Sequence, residues 1–439
     1  MKYFRHIVCF LLVIPILSMA LSGCASNGNV PEGTETAENL PPLEVWIFFD
    51  ENTPGTHYLD SWESIAEEYG CKINVKTFST EELKNKLRIS LASNELPDIF
   101  AVWGGTFPNY LIDAGACLPV QNYIKDSGVD FKESYLVPYS DGNNYIFPCL
   151  PEAYAVTYCN NALMDEIGVK APQTWEELMQ LVEATNNYNL MHGTDYSAIE
   201  LGDKDNWLGD LLYTMIVNRI DPFALEKLMS GELDFSDDIF LDAAYKVSDL
   251  IKAGAFPEDY LETGEVESIE NFINGESVLF PHQSTITFYL MDNMGSEAIS
   301  LVQFPDCDDF FNADYSHYLV DINHTLTPGL CINKNSKYTD KAADICMEFT
   351  KRVNKINVTQ YGYINTTNDK TLTPPTDLAS PAVELSDMLN EAEHLTGFWY
   401  SLLPQDDASA WRSLTKKLFA GAISPEQFIE EGGQYLNFK

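Results

Sequence analysis

Residues 43–49, LEVWIFF, open the segment whose pattern decides the fold. They are rich in β-branched and aromatic residues and therefore predict a strand. Apolar residues at helical spacing over 59–69 predict a helix, and 73–78 predicts a second strand. A second helix is expected over 79–91, which begins with the Ser-x-x-Glu pattern of a capping box. A third, short apolar strand follows at 99–102, and this strand–helix alternation predicts an α/β fold with a doubly wound parallel sheet.

The rest of the chain continues the mixture of helices and strands. Residues 145–158 are expected to be extended, and a helix is predicted to begin after Thr174, again at capping-box spacing from Glu177. The region 200–300 reads as mostly helical. Ser424 followed by proline has the pattern of an N-cap and first helical residue, so it predicts a final helix.

The N-terminus reads as a targeting segment. A short basic start is followed by the almost wholly apolar stretch 7–21, the length of a signal-peptide core. The sequence Leu-Ser-Gly-Cys at 21–24 resembles the lipobox of bacterial lipoproteins, which implies that residues 1–23 are removed and that Cys24 carries a lipid. Residues 24–42 are small, polar and proline-containing, so we expect a flexible tether. After the leader, no segment has the apolar length of a membrane span.

The charge of the chain narrows the classes of partner. It contains 66 acidic and 26 basic residues, for a formal net charge of −40. Such a chain repels phosphate backbones, which excludes nucleic-acid binding, and it lacks the basic surface needed to dock on anionic lipids. Strong negative charge is otherwise explained by solubility and does not identify a ligand.

The cysteines carry no metal or redox signature. Beyond Cys9 in the leader and Cys24, seven remain with wide spacing and without a C-x-x-C pair. We expect them to be small buried apolar residues, although one or two disulfides remain compatible with the sequence.

Six segments in chain order carry a family resemblance. They are LASNELPDI at 91–99, DAGACLP at 113–119, FP at 147–148 with AVTYCN at 155–160, GVKAPQTWEEL at 168–178, FINGE at 272–276, and SKYTDKAA at 336–343. Together they resemble the family-1 extracellular solute-binding proteins of ABC importers, the group that includes maltose- and oligosaccharide-binding proteins. Cys159 departs from the pattern, because it stands between the Tyr and Asn that end the family's hinge strand.

The resemblance implies a two-lobe, type II periplasmic-binding-protein fold. The expected first lobe is 43–152 plus 277–325, and the expected second lobe is 153–276 plus 326–439. Hinge strands would join the lobes, and closure around a solute would be the signal that a permease reads. The chain would act as a monomer, with ABC permease subunits as partners, a lipid anchor in the membrane, and no cofactor.

Sugar binding needs aromatic faces together with carboxylates or amides, and several residues at strand ends meet that need. Asp50 follows the first strand, where relatives place an acidic ligand contact, or it is a solvated loop residue. Trp103 ends the third strand beside two glycines, or it packs under a loop. Glu152 lies at the expected hinge crossing, where it contacts ligand or holds the hinge. Tyr154 is a similar candidate.

The expected second lobe offers a further set of candidates. Trp207 lies where relatives present aromatic residues. His282 and Gln283 stand where relatives carry a Gly-Trp pair, so polar contacts replace the stacking ring or the site differs. One of the C-terminal aromatics is expected to stack on ligand, with core packing the alternative for each: Trp399, Tyr400 and Trp411.

Enzyme and metal readings have little support. The sequence contains no zinc-protease, nucleophile-elbow or P-loop motif, and Asp203-x-Asp205 begins like a calcium loop without continuing as one. The sequence therefore predicts no metal and no catalysis, and favours a membrane-tethered receptor for a carbohydrate, most simply an oligosaccharide. The alternatives are an extracytoplasmic carbohydrate-active enzyme and a surface protein that uses the same fold for adhesion or sensing.

Overall fold

The computed structural model describes residues 42–48, 57–149, 153–307, 317–322, 328–363 and 365–436. Cys24, Asp50 and Glu152 lie outside these ranges, as do the leader and nearly all of the tether. None of the described helices is long and apolar enough to cross a membrane.

The elements alternate between strands and helices over most of the described chain. The strands are β1 Leu43–Ile47, β2 Ile73–Thr77, β3 Ile99–Val102, β4 Phe147–Pro148, β5 Ala155–Asn160, β6 Ser197–Ile199, β7 Ser277–Gln283, β8 Ile299–Val302, β9 Tyr318–Asp321, β10 Gly329–Ile332 and β11 His394–Gly397. The helices are α1 His57–Glu68, α2 Thr80–Ser93, α3 Asn109–Asp113, α4 Gln121–Asp126, α5 Asn161–Ile167, α6 Trp175–His192, α7 Leu208–Ile220, α8 Ala224–Ser230, α9 Asp238–Lys252, α10 Glu265–Ile273, α11 Thr287–Met294, α12 Thr339–Tyr361, α13 Ser380–Glu391, α14 Trp399–Leu402, α15 Gln405–Phe419 and α16 Pro425–Gly432.

The first sheet has the order β2-β1-β3-β10-β4. β1 is parallel to β2 and to β3, as the pattern of residues 43–102 predicts, with Val45 opposite both Val75 and Ile99. β10 is antiparallel to β3 and β4, so the sheet is mixed rather than wholly parallel. β10 approaches β4 so closely at Gly329 that a Cβ there would lie 2.0 Å from the Phe147 carbonyl oxygen, and only glycine fits.

The helices around this sheet begin and pack as their sequences predict. The Ser79 hydroxyl accepts a hydrogen bond from the Glu82 backbone N–H and caps α2. Trp62 on α1 is buried and stacks on Phe349 of α12 at 4.1 Å between ring centroids. Such pairs add about 0.5–1.5 kcal/mol beyond the burial of their area. We call this sheet with its packed helices the first lobe.

The second lobe is built on the sheet β6-β7-β5-β8. β6 runs parallel to β7, whereas β5 is antiparallel to both β7 and β8. One large apolar core joins this sheet to α7, α9 and the C-terminal helices α15 and α16. A smaller core lies between the sheet and α10, α11 and α13. β9 and β11 pair separately as a short parallel ribbon.

The strand pairing corrects the expected lobe boundaries. The resemblance predicts β7 at 277–283 in the first lobe, but it lies beside β5 in the second. It predicts β10 at 329–332 in the second lobe, but this strand lies beside β3 in the first. The chain therefore completes the second sheet with β7 and β8 before it returns to the first. The reason is local, because β7 follows α10 directly and its apolar residues complete the core around Phe272 and Phe280.

The cysteines follow the expectation of buried apolar residues. All seven cysteines within the described residues are free thiols, and every one except the half-buried Cys71 is buried. The final helix also begins as predicted, because Ser424 and Gln427 form a reciprocal capping box with proline at the first position.

Candidate ligand-binding site

Trp103 forms the aromatic part of the first lobe's wall. It follows β3, and its ring stacks on Phe48, which follows β1, with centroids 4.4 Å apart. Phe107 meets the same ring edge-on at 5.3 Å. The carboxyl ends of adjacent parallel strands are where open α/β sheets hold ligands. Trp103 is thus a partly exposed ring, fixed by two aromatic neighbours, at the position where this fold presents its ligand crevice.

A small pocket lies between the lobes beside Trp103. The first lobe contributes Lys84, Trp103, Gly104, Thr106 and Phe107, and the second contributes Tyr400, Ser401, Ala408, Ser409 and Arg412. The Thr106 hydroxyl donates to the Leu403 carbonyl at 2.6 Å and ties the two walls together. The cavity volume is about 30 Å³, which is the share of one water molecule in the liquid. The lobes are therefore closed upon each other at this point.

Two buried cations and one carboxylate meet at the boundary between the lobes. Lys84 Nζ and Arg412 Nη2 both donate to Glu81 Oε1, at 2.9 and 3.0 Å. The Lys84 ammonium lies 5.0 Å from the centroid of the Trp103 ring and 5.8 Å from that of Tyr400. The Arg412 guanidinium lies over the other aromatic wall, 5.0 Å from the Tyr400 centroid. Cations at these distances are attracted to the ring faces.

Burial and the neighbouring charges determine the protonation states of Lys84 and Glu81. Burial, reinforced by the neighbouring Arg412, lowers the pKa of Lys84 to about 8. Burial alone would raise the pKa of Glu81, but the charges of Lys84 and Arg412 outweigh that effect and hold it below its ordinary value. At neutral pH both cations are mainly charged, and Glu81 is ionised between them.

A second cluster lies at the end of β7 in the second lobe. Gln283 Nε2 donates to Glu265 Oε1 at 3.3 Å, and His282 Nε2 lies 3.8 Å from the same oxygen. The ring of Trp207 meets that of His282 edge-on, with centroids 5.4 Å apart. Burial raises the pKa of the Tyr400 phenol, with a smaller contribution from the charge of Glu265.

Glu265 carries the main titratable carboxylate of that cluster. Burial, with a smaller effect of Asp205, raises its pKa to about 7, partly offset by the donors of Trp207 and Gln283. Burial lowers the pKa of His282 to about 3, so its ring is neutral at pH 7. The side chain of Glu265 remains 25% exposed. It can therefore accept or donate hydrogen bonds at an accessible surface.

The loop before α7 fixes the position of Trp207. Asn206 has a left-handed backbone with φ of 62°, and Asp203 Oδ1 accepts the Gly209 N–H at 2.9 Å. A Cβ on Gly209 would lie 2.8 Å from Asp203 Oδ2, so the loop closes tightly only with glycine there. The Asp203 N–H in turn donates to the Tyr260 carbonyl at 2.7 Å. Trp207 thus stands on a turn that is hydrogen-bonded on both sides.

The structure brings some of the predicted residues together. Trp207, His282 and Gln283 share the second-lobe cluster, in which His282 is fully buried, whereas Trp103 lines the interlobe pocket. Tyr154 is buried at the start of β5, where its N–H donates to Ser284 Oγ at 3.0 Å. Its position is therefore that of a structural residue.

The C-terminal tryptophans require a correction. Trp399 is 1% exposed and Trp411 is fully buried, and the two rings stack at 5.8 Å inside the second core. Trp411 Nε1 donates to Asp210 Oδ1 at 2.7 Å. Neither ring offers a face to ligand in this arrangement, which argues against the stacking role expected for them. Among the three C-terminal aromatics, Tyr400 is the one that lines the pocket.

Sequence reasoning missed four of the charged residues that shape the site. Glu81 and Lys84 lie in the first turns of α2, where an acidic and a basic residue are ordinary in an exposed helix. Arg412 lies on α15 amid other charged residues, and Glu265 is the first residue of α10. Their one available signal was position, and it applies only to α2, whose first turn follows the predicted strand 73–78, whereas α10 follows α9. Pattern alone does not separate such residues from solvated ones.

The comparisons with known proteins agree with this architecture. Residues 55–207 match the family model described as bacterial extracellular solute-binding protein. A solved protein from a study of xylan utilization by the thermophilic bacterium Caldanaerobius polysaccharolyticus is 23% identical, with a TM-score of 0.77 over 90% of this chain and 100% of that one.

Other solved structures have the same fold at lower identity. A chitin oligosaccharide binding protein is 18% identical, with a TM-score of 0.76 over 90% of this chain and 98% of its own. An ABC substrate-binding protein from Listeria monocytogenes, in complex with cycloalternan, is 15% identical, with a TM-score of 0.68 over 90% of this chain and 98% of its own. A comparison with curated protein sequences found no significant match. The chain therefore has the two-lobe fold of ABC solute-binding proteins, and its residues 55–207 carry the sequence pattern of the bacterial extracellular solute-binding protein family.

Proposed function

We propose that this protein is an extracytoplasmic receptor that binds an oligosaccharide between its two lobes and delivers it to an ABC importer. The observation that carries the proposal is the pairing of aromatic rings with polar groups across the lobe boundary. Trp103 and Tyr400 face one another in the pocket. Trp207 adjoins the Glu265 carboxylate and the Gln283 amide.

This combination of groups suits the chemistry of a sugar. Ring faces cover the C–H surface of a pyranose, while a carboxylate and an amide accept from and donate to adjacent hydroxyl groups. Solved proteins of the same fold were determined with cycloalternan and with stachyose, which supports a glycan over an amino acid or peptide.

Binding would act by shifting the balance between open and closed lobes. The Arg412–Glu81 and Thr106–Leu403 contacts join the lobes, so they would stabilise the closed form. A ligand that touches both walls adds differential affinity for the closed state, which is what a population shift requires. The lipobox at 21–24 supports anchoring through Cys24 and residues 24–42 as the tether that leaves the lobes free to reach a permease.

A thermal-shift screen of residues 25–439 tests the proposal. The panel contains neutral and acidic oligosaccharides, with amino acids, peptides and polyamines as controls. A ligand that binds only the folded state raises the Tm in a concentration-dependent way. We expect a shift with one glycan class and none with the controls. A shift with a non-sugar alone would contradict the carbohydrate assignment, and no shift at all would favour adhesion or sensing.

A further inference from the structure

The interlobe pocket has an uneven charge. The charged residues among its lining are Lys84 and Arg412, and both are cations. Their side chains are only 7% and 9% exposed. Glu81, which accepts one hydrogen bond from each, is not among the lining residues. An anion in the pocket would thus meet positive groups first.

We propose that this pocket selects a sugar unit that carries a carboxylate, so that the protein is a receptor for oligosaccharides containing a uronic acid. The inference rests on the proposed function, since it names the substrate class of the same cleft. The two aromatic walls would cover the sugar ring, and the two cations would bind its carboxylate. Charge-assisted hydrogen bonds of this kind are about twice as strong as neutral ones.

The donors needed for a second anion are present. An ammonium has three N–H groups, and one of those on Lys84 is directed to Glu81. The Nε–H of Arg412 is buried and has no hydrogen-bond acceptor within the described ranges. A buried donor without a partner is unfavourable. A ligand carboxylate that accepts from this group would remove that cost, whereas a sugar hydroxyl offers a weaker acceptor.

Nearby carboxylates do not fill this role. Asp210 accepts from Trp411 Nε1 at 2.7 Å, and Asp203 accepts from the Gly209 N–H at 2.9 Å. Both lie behind Arg412 and neither lines the pocket. The net charge of −40 belongs to the whole molecule, and charges on its surface are screened beyond about 8 Å at physiological salt. The local pair of cations therefore decides the preference for an anion.

The cavity of about 30 Å³ is too small for a sugar while the lobes are closed as described. Opening the lobes separates Arg412 from Glu81 and frees the Arg412 donor, while Lys84 stays paired with Glu81 on α2. A uronate bound to Lys84 would then meet Arg412 as the lobes close. The ligand carboxylate would share the cations with Glu81 or replace it.

Titration calorimetry with three matched ligands tests the inference. The ligands are an oligogalacturonate, its C6 methyl ester and a neutral galacto-oligosaccharide of the same length, with a glucuronate-substituted xylo-oligosaccharide and its neutral parent as a second set. We expect the acid to bind at least about tenfold more tightly than its ester, on the scale of one added charge-assisted hydrogen bond. Equal affinity of the acid and its uncharged counterpart in both sets would overturn the inference and leave the proposed function intact.

Variants locate the effect in the pocket. Lys84→Met should abolish most of the preference for acid over ester, whereas Lys86→Met on the exposed side of α2 should leave it unchanged. Glu81→Gln should increase the preference, because it removes the competing carboxylate. Lys84→Met and Glu81→Gln are expected to change the preference for acid in opposite directions. If one of these variants fails to fold, the other still tests the assignment. A preference that neither variant changes would place acid recognition elsewhere and contradict the assignment.

Two further outcomes are informative. One distinguishes a sugar acid from a free anion as the ligand, and the other distinguishes failure of the inference from failure of the proposed function. Free acetate at the same concentration should not displace the oligogalacturonate. If acetate alone binds in a Lys84-dependent way, the pocket is a simple anion site and the sugar part of the inference is wrong. If no oligosaccharide of either kind binds to the folded protein, the proposed function fails together with the inference.

Discussion

Arg412 in the second lobe donates through Nη2 to Glu81 Oε1 in the first lobe at 3.0 Å. The Arg412 side chain is largely buried, and Glu81 is about one-third exposed. This hydrogen bond and the one from the Thr106 hydroxyl to the Leu403 carbonyl join the two lobes. A contact that forms only when the lobes meet stabilises the closed state selectively.

Replacing Arg412 should therefore shift the protein toward an open form. We expect Arg412→Gln to increase the radius of gyration in small-angle X-ray scattering, because a charge-assisted hydrogen bond of about 1.5–3 kcal/mol is lost. Arg352→Gln is the matched control, since Arg352 pairs with Glu68 and Glu348 inside the first lobe. Identical scattering curves for Arg412→Gln and the unchanged protein would show that this contact does not hold the lobes.

Glu265 should contribute directly to sugar affinity. Its accessible carboxyl group stands between Gln283 and Trp207, where it can bond to ligand hydroxyls. We expect Glu265→Gln to weaken binding about five- to twentyfold, which corresponds to about 1–2 kcal/mol. Glu267→Gln, at an exposed position on the same helix, should leave affinity unchanged. Calorimetric titration with the glycan found by thermal shift compares the two, and equal affinities would remove Glu265 from the site.

Buried carboxylates should make the protein most stable in mild acid. Burial raises the pKa of Glu200 to about 7, of Asp203 to about 6 and of Asp210 to about 7. In the unfolded chain these groups titrate near their ordinary values of 4.5 and 3.8. Between those values and about pH 7 the folded state binds more protons than the unfolded state, so stability decreases as pH rises.

The Tm should accordingly fall between about pH 5 and pH 8, since one pKa unit corresponds to about 1.4 kcal/mol. Glu44 and Glu81 have lowered pKa values, so their contribution is lost only below about pH 4.5 and leaves this window unaffected. Burial lowers the pKa of His282 from 6.5 to about 3, so this group opposes the trend below about pH 6.5, but it is one group against three carboxylates. Differential scanning calorimetry across the range measures the trend, and Asp210→Asn should flatten it. A Tm that rises steadily from pH 5 to pH 8 would contradict this prediction.

Thiol reactivity should distinguish one cysteine from the others. Cys71 is half-buried, whereas the other six cysteines of the described residues are buried in the cores. Burial raises the pKa of Cys149 and of Cys307 above the ordinary value, which keeps these thiols protonated and unreactive. We expect one fast equivalent with Ellman's reagent on the folded protein, and none in Cys71→Ser. Several fast equivalents would show that the cores open readily.

Local pattern was enough to predict the first half of the fold. The alternation of strands and helices over 43–102 depends on spacing, capping residues and short apolar runs, and β1, β2 and β3 pair as those signals indicate. The lobe boundaries were not predictable in the same way. The pairing of β7 with β5, and of β10 with β3, joins segments more than one hundred residues apart, and nothing in the local sequence specifies it.

The candidate site likewise combines residues that the local sequence indicates with residues that it does not. The sequence indicates Trp103 and Trp207 as candidates because each is an aromatic residue beside a strand end or a turn. Trp399 and Trp411 were equally aromatic, but the helices that carry them close the second core, and a large buried ring needs that core. Lys84 and Arg412 meet only when two distant helices approach, so their shared contact with Glu81 has no signature in sequence.

Calorimetric titration is the most direct test that a carbohydrate binds between these lobes. Residues 25–439 are titrated with the glycan that gives the largest thermal shift, and the titration is repeated with Trp207→Ala. We expect one binding site per chain. We expect the affinity of Trp207→Ala to be at least about tenfold lower, because the variant removes one aromatic ring from a sugar face. Absence of binding heat from every glycan, or an unchanged affinity in Trp207→Ala, would contradict a carbohydrate site between these lobes.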